Sequence, residues 1–259
     1  MKGTYQIEGP GKLTLRESPI LVTGSCFSTQ IGCRLEDEGF AVVANPFGIL
    51  FNPASIAAAL ERLDSGRHFT AEDVIVRDGR YVSFHHHGAF ARQSPEAFLE
   101  EANAALDEAC RQWQQTGAVI LTLGTSWVFR HLERDILVAN CHKVPAHEFR
   151  REFLSTGQTV QLLEPLIRRH PEKKWIFTVS PIRHLADGAH GNQISKASLL
   201  LAIDELQKRH GAEVHYFPSY EILLDELRDY RWYAEDTVHP SEEAVRIICD
   251  RFISWIDID

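Results

Sequence analysis

The chain has little basic charge to offer a polyanion: 27 Lys and Arg stand against 36 Asp and Glu, a formal charge of −9. With no basic stripe to offset the repulsion, a nucleic-acid backbone is excluded as the expected partner. Long hydrophobic runs are also lacking. No segment approaches the roughly 18 consecutive apolar residues of a membrane span, and the first residues, MKGTYQIEGPGK, carry no apolar stretch of the kind an export signal needs. Cysteine is sparse and odd in number, and the five residues at 26, 33, 110, 141 and 249 form neither a disulfide framework nor a paired zinc motif. These absences lead to the expectation of a soluble cytoplasmic protein with reduced thiols, no cofactor, no membrane insertion and a small or carbohydrate-like substrate. Repeats, low-complexity tracts and linkers are missing too. The 259 residues therefore read as one domain, with an inserted segment of hairpin and helix at about 66–116.

What is present is an alternation of short apolar runs with helical patterns. Residues 20–23, 40–44, 118–123, 174–179 and 214–217 read as buried strands, and 28–39, 54–63, 195–209 and 241–255 as helices. Five strands alternating with helices argue for an α/β fold with a parallel, doubly wound sheet. Two pieces break the rhythm, 74–84 turning at Asp78-Gly79 and 127–140 turning around 133–135. Both read as hairpins added at the rim, and a helix over 94–115 returns the chain from the first.

In such a sheet, ligands sit at the carboxyl ends of the strands. The run LVTGSCFS, 21–28, breaks at Gly24 and delivers Ser25 and Cys26 to a helix start, where orphan N–H groups can hold an oxyanion and favour a thiolate. The bland alternative is a tight turn with a buried Cys and a capping Ser. Near the other end, AEDTVHPS, 234–241, places Asp236 three residues before His239, so that the carboxylate can orient the imidazole as a base. Capping of the following helix explains Pro240 and Ser241, but not Asp236 and His239.

These segments resemble the GSCFA family, which belongs with the SGNH or GDSL-like esterases. The resemblance rests on GSCFS at 24–28, NPFGILFNP at 45–53, TLGTSWVFRH at 122–131, VANCHKVP at 138–145, SPIRH at 180–184 and RWYAEDTVHPS at 231–241. It implies a flavodoxin-like three-layer sandwich with a five-stranded parallel sheet in the order 2-1-3-4-5, and a late Asp-x-x-His that Asp236 and His239 match. It also implies an ester hydrolase or acyltransferase of bacterial type acting on O-acyl esters, with an acylated carbohydrate as the substrate class. The wider superfamily reads Gly-Asp-Ser at the first motif. Aligned without a gap, its nucleophile falls on Cys26 and its Asp on Ser25, so both remain candidates. Gly48 matches the oxyanion glycine. The usual oxyanion Asn has no direct counterpart, and Thr125 or Asn140 is expected in its stead.

His142 and Lys143 on the second hairpin, and Arg183 and His184 after the fourth strand, are expected around an anionic or hydroxyl-rich substrate, with rim charge as the alternative. His85 and His87 share a strand face in this reading, but without neighbouring Cys or carboxylates they point to substrate contact or polar surface, not to a metal. Tyr230, Trp232 and Tyr233 read as packing around the Asp-His loop. Two other classes of function stay open: a non-catalytic carbohydrate-binding or interaction module, which has no chemical need of Asp236 and His239, and a Cys26 redox sensor, for which the sequence offers no resolving cysteine at a useful separation.

Overall fold

Side chains of successive strand residues point to opposite faces, and that alternation builds the layers. The computed structural model describes residues 7, 11–15 and 17–258; most of the amino-terminal stretch read for an export signal lies outside this range. The elements run β1 (Leu13–Leu15), β2 (Ile20–Gly24), α1 (Cys26–Asp37), β3 (Val42–Ala44), α2 (Pro53–Ser65), β4 (Ile75–Arg77), β5 (Arg80–Val82), α3 (Pro95–Trp113), β6 (Ala118–Leu123), β7 (Trp127–His131), β8 (Ile136–Val138), β9 (Phe149–Phe153), α4 (Thr156–Arg169), β10 (Lys174–Val179), α5 (Gly188–Arg209), β11 (Val214–Tyr216), α6 (Ser219–Glu221), α7 (Glu242–Trp255) and β12 (Ile256–Ile258). Among the described residues, no helix is long and apolar enough to cross a membrane.

Strands β11, β10, β6, β2 and β3 form, in that order, an all-parallel sheet. In chain numbering this is not 2-1-3-4-5, because β1 and the rim strands intervene; counting the five members of this sheet alone restores that succession. Leu21, Val119, Leu121, Trp175 and Phe177 face one core with α2, α3, α4 and α5, contributing Leu60, Leu106, Leu163 and Leu199. The alternate residues Ile20, Val22, Ile120 and Ile176 face the other, with Phe27 and Ile31 of α1 and Ile248 and Phe252 of α7. Strands covered on both faces explain why they read as continuous apolar runs.

The rim follows the expected hairpins and adds to them. β4 and β5 pair across Asp78-Gly79, whose φ values of 49° and 71° suit the turn. β7 and β8 pair as expected, but β9 joins on the other side of β7, giving a three-stranded antiparallel sheet. β1 and β12 pair in parallel and bring the two ends of the chain together. Residues 85–87 are not a strand face. They form a turn, with His87 capping a 3-10 helix over Gly88–Phe90 through Ala89 N–H.

Candidate active site

The crest of the sheet begins with a glycine that nothing else can replace. Gly24 has a φ of 143°, and a Cβ there would lie 2.2 Å from the Thr122 carbonyl oxygen. This close approach lets the chain turn at once from β2 into α1, which starts at Cys26 rather than at Ser28 as the apolar pattern suggested. Ser25 is therefore the N-cap, but its hydroxyl makes no capping bond; its N–H goes to Thr122 O at 3.0 Å, and its buried Oγ has no partner among the described residues. Cys26 is the first helical residue and is partly exposed.

The loop of residues 45–53 is strapped across the same crest. Leu50 N–H donates to Gly24 O at 2.8 Å, and Phe51 O accepts from both Gly124 and Thr125 N–H at 2.9 Å. Asn45, left-handed at φ 47°, accepts on Oδ1 from Gly24 N–H at 3.2 Å and from Ser28 Oγ at 2.9 Å, pinning the loop to the start of α1.

Asp236 and His239 form the pair expected of them. His239 Nδ1 lies 2.5 Å from Asp236 Oδ2, while Asp236 Oδ1 accepts the N–H groups of Val238 and His239, each at 2.9 Å. The His239 N–H, its ring and the Val238 N–H together hold the Asp236 carboxyl down at about 2. The ionised carboxylate can only accept, so Nδ1 carries the proton and Nε2 is left as the basic nitrogen. Arg183 props this loop from behind: its N–H donates to Val238 O at 3.1 Å, its guanidinium to Thr237 O at 3.3 Å, and it lies 3.8 Å from the Tyr233 ring centre. Ser241 caps α7 through Ala244 N–H at 3.2 Å, so capping and the Asp-His pair coexist in one segment.

Cys26 and His239 line one cavity of about 680 Å³, together with Phe51, Asn52, Thr125, Trp127, Asn140, Cys141, Arg183 and His184 among others. Ser25 is not in its wall. Asn52 is the residue that the sequence reading missed. Its Oδ1 caps α2 by accepting Ser55 N–H at 2.9 Å, which fixes the amide plane. Among the described residues its NH2 group has no partner, and it stands on the cavity wall with Cys26. The signal lay in the second Asn-Pro of NPFGILFNP, an N-cap followed by proline at N1.

Several expected site residues are placed otherwise. Gly48 gives its N–H to Asn45 O at 2.7 Å in a tight turn and does not line the cavity, so it offers no oxyanion donor. The Thr125 hydroxyl lines the cavity but is engaged on two sides, by Trp127 N–H and by Ser195 Oγ, both at 3.1 Å. His142 donates from Nε2 to Ser83 O at 2.8 Å and belongs to the rim, not the wall. Asn140 lines the cavity, with its Oδ1 taken by His142 N–H at 2.8 Å. His184 lies at the crest: a Cβ on Gly124 would meet His184 Nε2 at 3.2 Å and Ser25 Cβ at 3.3 Å. Burial, then the charge of Lys196, pushes His184 down to about 4.

The thiol does not behave as a helix start alone predicts. Burial pushes the Cys26 thiol up, and its own backbone N–H at the helix terminus opposes this without prevailing. Cys26 thus rests as a thiol rather than a thiolate. Cys141, in the same wall, is pushed up to about 11 by burial.

The chain is thus a parallel α/β sheet protein with a cysteine just after β2 and an Asp-His pair before the last helix, brought to one cavity. Residues 19–252 match the GSCFA family, and the chain belongs to it. No curated protein matches the chain in sequence. Among solved structures it is similar to a GDSL-like lipase from Bacteroides thetaiotaomicron, at 12% identity and a TM-score of 0.41, covering 92% of this chain and 87% of that one. It is also similar to a carbohydrate esterase family 2 enzyme from Corynascus thermopiles, at 12% identity and a TM-score of 0.41, covering 98% and 68%.

Proposed function

We propose that the protein is an esterase-type hydrolase that cleaves O-acyl esters through a thioester on Cys26. The observation that carries this reading is the shared wall: Cys26 and His239 line one cavity, with Asp236 on the other ring nitrogen of His239, whereas the Ser25 hydroxyl is buried outside it. His239 Nε2 takes the Cys26 proton as sulfur attacks the ester carbonyl. The N–H groups at the start of α1 and the amide of Asn52 receive the oxyanion, and the imidazolium then protonates the departing alkoxide. Water attacks the thioester, giving the carboxylic acid and restoring the thiol; a second hydroxyl in place of water turns the same step into acyl transfer. The half-exposed Asp236 and His239 leave the alcohol side open to water, which suits a hydroxyl-rich, carbohydrate-like alcohol.

The test is to quench a reaction with p-nitrophenyl acetate in acid and map the acylated peptide by mass spectrometry. Acyl on Cys26, lost in Cys26→Ala and in His239→Ala, supports the thioester. Acyl on Ser25, or no ester turnover at all, overturns it.

A further inference from the structure

His239 must protonate the departing oxygen, and its side chain is 49% exposed, so the alcohol leaves on the water side. The acyl group, bonded to Cys26, then has only the interior of the cavity to occupy. That interior is apolar, formed by Phe51, Trp127, Phe129, Val138, Ile182 and Val238. Its charged groups are already paired: Arg151 with Asp187, the guanidinium also lying 4.0 Å from the Trp127 ring centre, and Arg183 with the Tyr233 ring and Thr237 O. Trp127 Nε1 and His184 Nε2 are buried and, among the described residues, without a partner, and the amide NH2 groups of Asn52, which takes the oxyanion, and of Asn140 are also free. So few groups cannot replace the water around a sugar ring, whose every buried hydroxyl needs a partner. An acetyl group, for its part, would leave most of about 680 Å³ unfilled.

Resting on the esterase reading above, we infer that this cavity is an acyl pocket selecting a medium-chain or aryl acyl group, with Trp127 and Phe129 as specificity-determining residues. Each methylene moved from water into such a wall favours binding about fourfold, so burying only a few of them outweighs an acetyl group by about tenfold.

The experiment compares p-nitrophenyl acetate with p-nitrophenyl octanoate, which share a leaving group. The expected kcat/KM ratio favours octanoate by about tenfold or more, and Phe129→Asp on the rim strand collapses that ratio. Calorimetry of octanoate against acetate, on the native protein and on Cys26→Ala, reads the pocket without catalysis, and octanoate alone is expected to bind. Equal or better use of acetate, with acyl found on Cys26, overturns the acyl pocket and leaves the esterase standing. Octanoate binding without turnover of either ester overturns the esterase and leaves an apolar ligand pocket. No binding of octanoate to the native protein overturns the pocket outright.

Discussion

Lys196 carries its ammonium group wholly out of water to 2.7 Å from the carbonyl oxygen of Gly124, and at the same distance from that of Ser180. These carbonyls follow β6 and β10, so one side chain of α5 ties together the two strand ends beside the cavity. Burial lowers its pKa to about 7. The unfolded chain then binds more protons than the native one between about pH 7 and 10.5, and this group makes stability rise with pH across that window. Lys196→Met removes that rise and leaves two carbonyls unpaired, at a cost of about 1–3 kcal/mol at neutral pH. Urea unfolding at pH 7 and pH 9.5 checks both effects. Unchanged stability and an unchanged slope would show that the ammonium ties nothing.

Asp236 is held at about 2, so it stays ionised at every pH where an esterase is assayed. In the proposed mechanism its value is the tautomer and orientation of His239. Asp236→Asn is expected to lower kcat about 10²- to 10⁴-fold without shifting the apparent KM comparably. Steady-state kinetics on the variant and the wild type decide it, and a loss under fivefold would remove Asp236 from the mechanism.

Ser25→Ala and Cys26→Ala should separate cleanly. Ser25 is 1% exposed and its hydroxyl makes no hydrogen bond among the described residues, so its removal deletes an unsatisfied buried group and is expected to change stability by less than about 1 kcal/mol. Activity should survive it. Cys26→Ala should abolish turnover while the far-ultraviolet circular dichroism stays unchanged. The reverse pattern would make serine the nucleophile.

How far the site could be read from sequence depended on which interactions are local. Asp236 and His239 bond across three residues, and their spacing alone revealed them. The strands of the main sheet were legible because burial on both faces leaves no polar position to interrupt the apolar run, as at Ala118–Leu123. Gly48 was expected at the cavity and Asn52 was not, because both lie in one loop whose placement is set by contacts remote in sequence, of Leu50 with Gly24 and of Phe51 with Gly124. β9 escaped notice because its residues, FRREF, are half polar and gain strand form only by pairing with β7. The α1 start was misplaced by two residues because the early turn into the helix depends on the close approach of Gly24 to the Thr122 carbonyl, a contact between residues far apart in sequence.

His86 offers the sharpest stability test. It is fully buried among the rings of Phe47, Phe69, Phe90 and Phe98, at centroid distances of 5.7, 4.5, 4.7 and 5.4 Å, and both ring nitrogens lack partners among the described residues. Burial, aided by the nearby charges of His85, Arg62 and His142, lowers its pKa to about 3. Native His86 stays neutral where the unfolded residue takes up a proton, so its contribution to stability falls as pH drops from about 6.5 towards 3. At pH 5 the linkage amounts to about 2 kcal/mol. His86→Leu keeps a side chain of similar volume and has nothing to protonate. The variant is therefore expected to match or exceed the wild type at pH 7, where only the unpaired ring nitrogens are relieved, and to exceed it by about 2 kcal/mol at pH 5. Thermal and urea unfolding at the two pH values measure the difference. A variant that loses stability equally at both would mean that the imidazole is held by partners of its own and that acid sensitivity arises elsewhere.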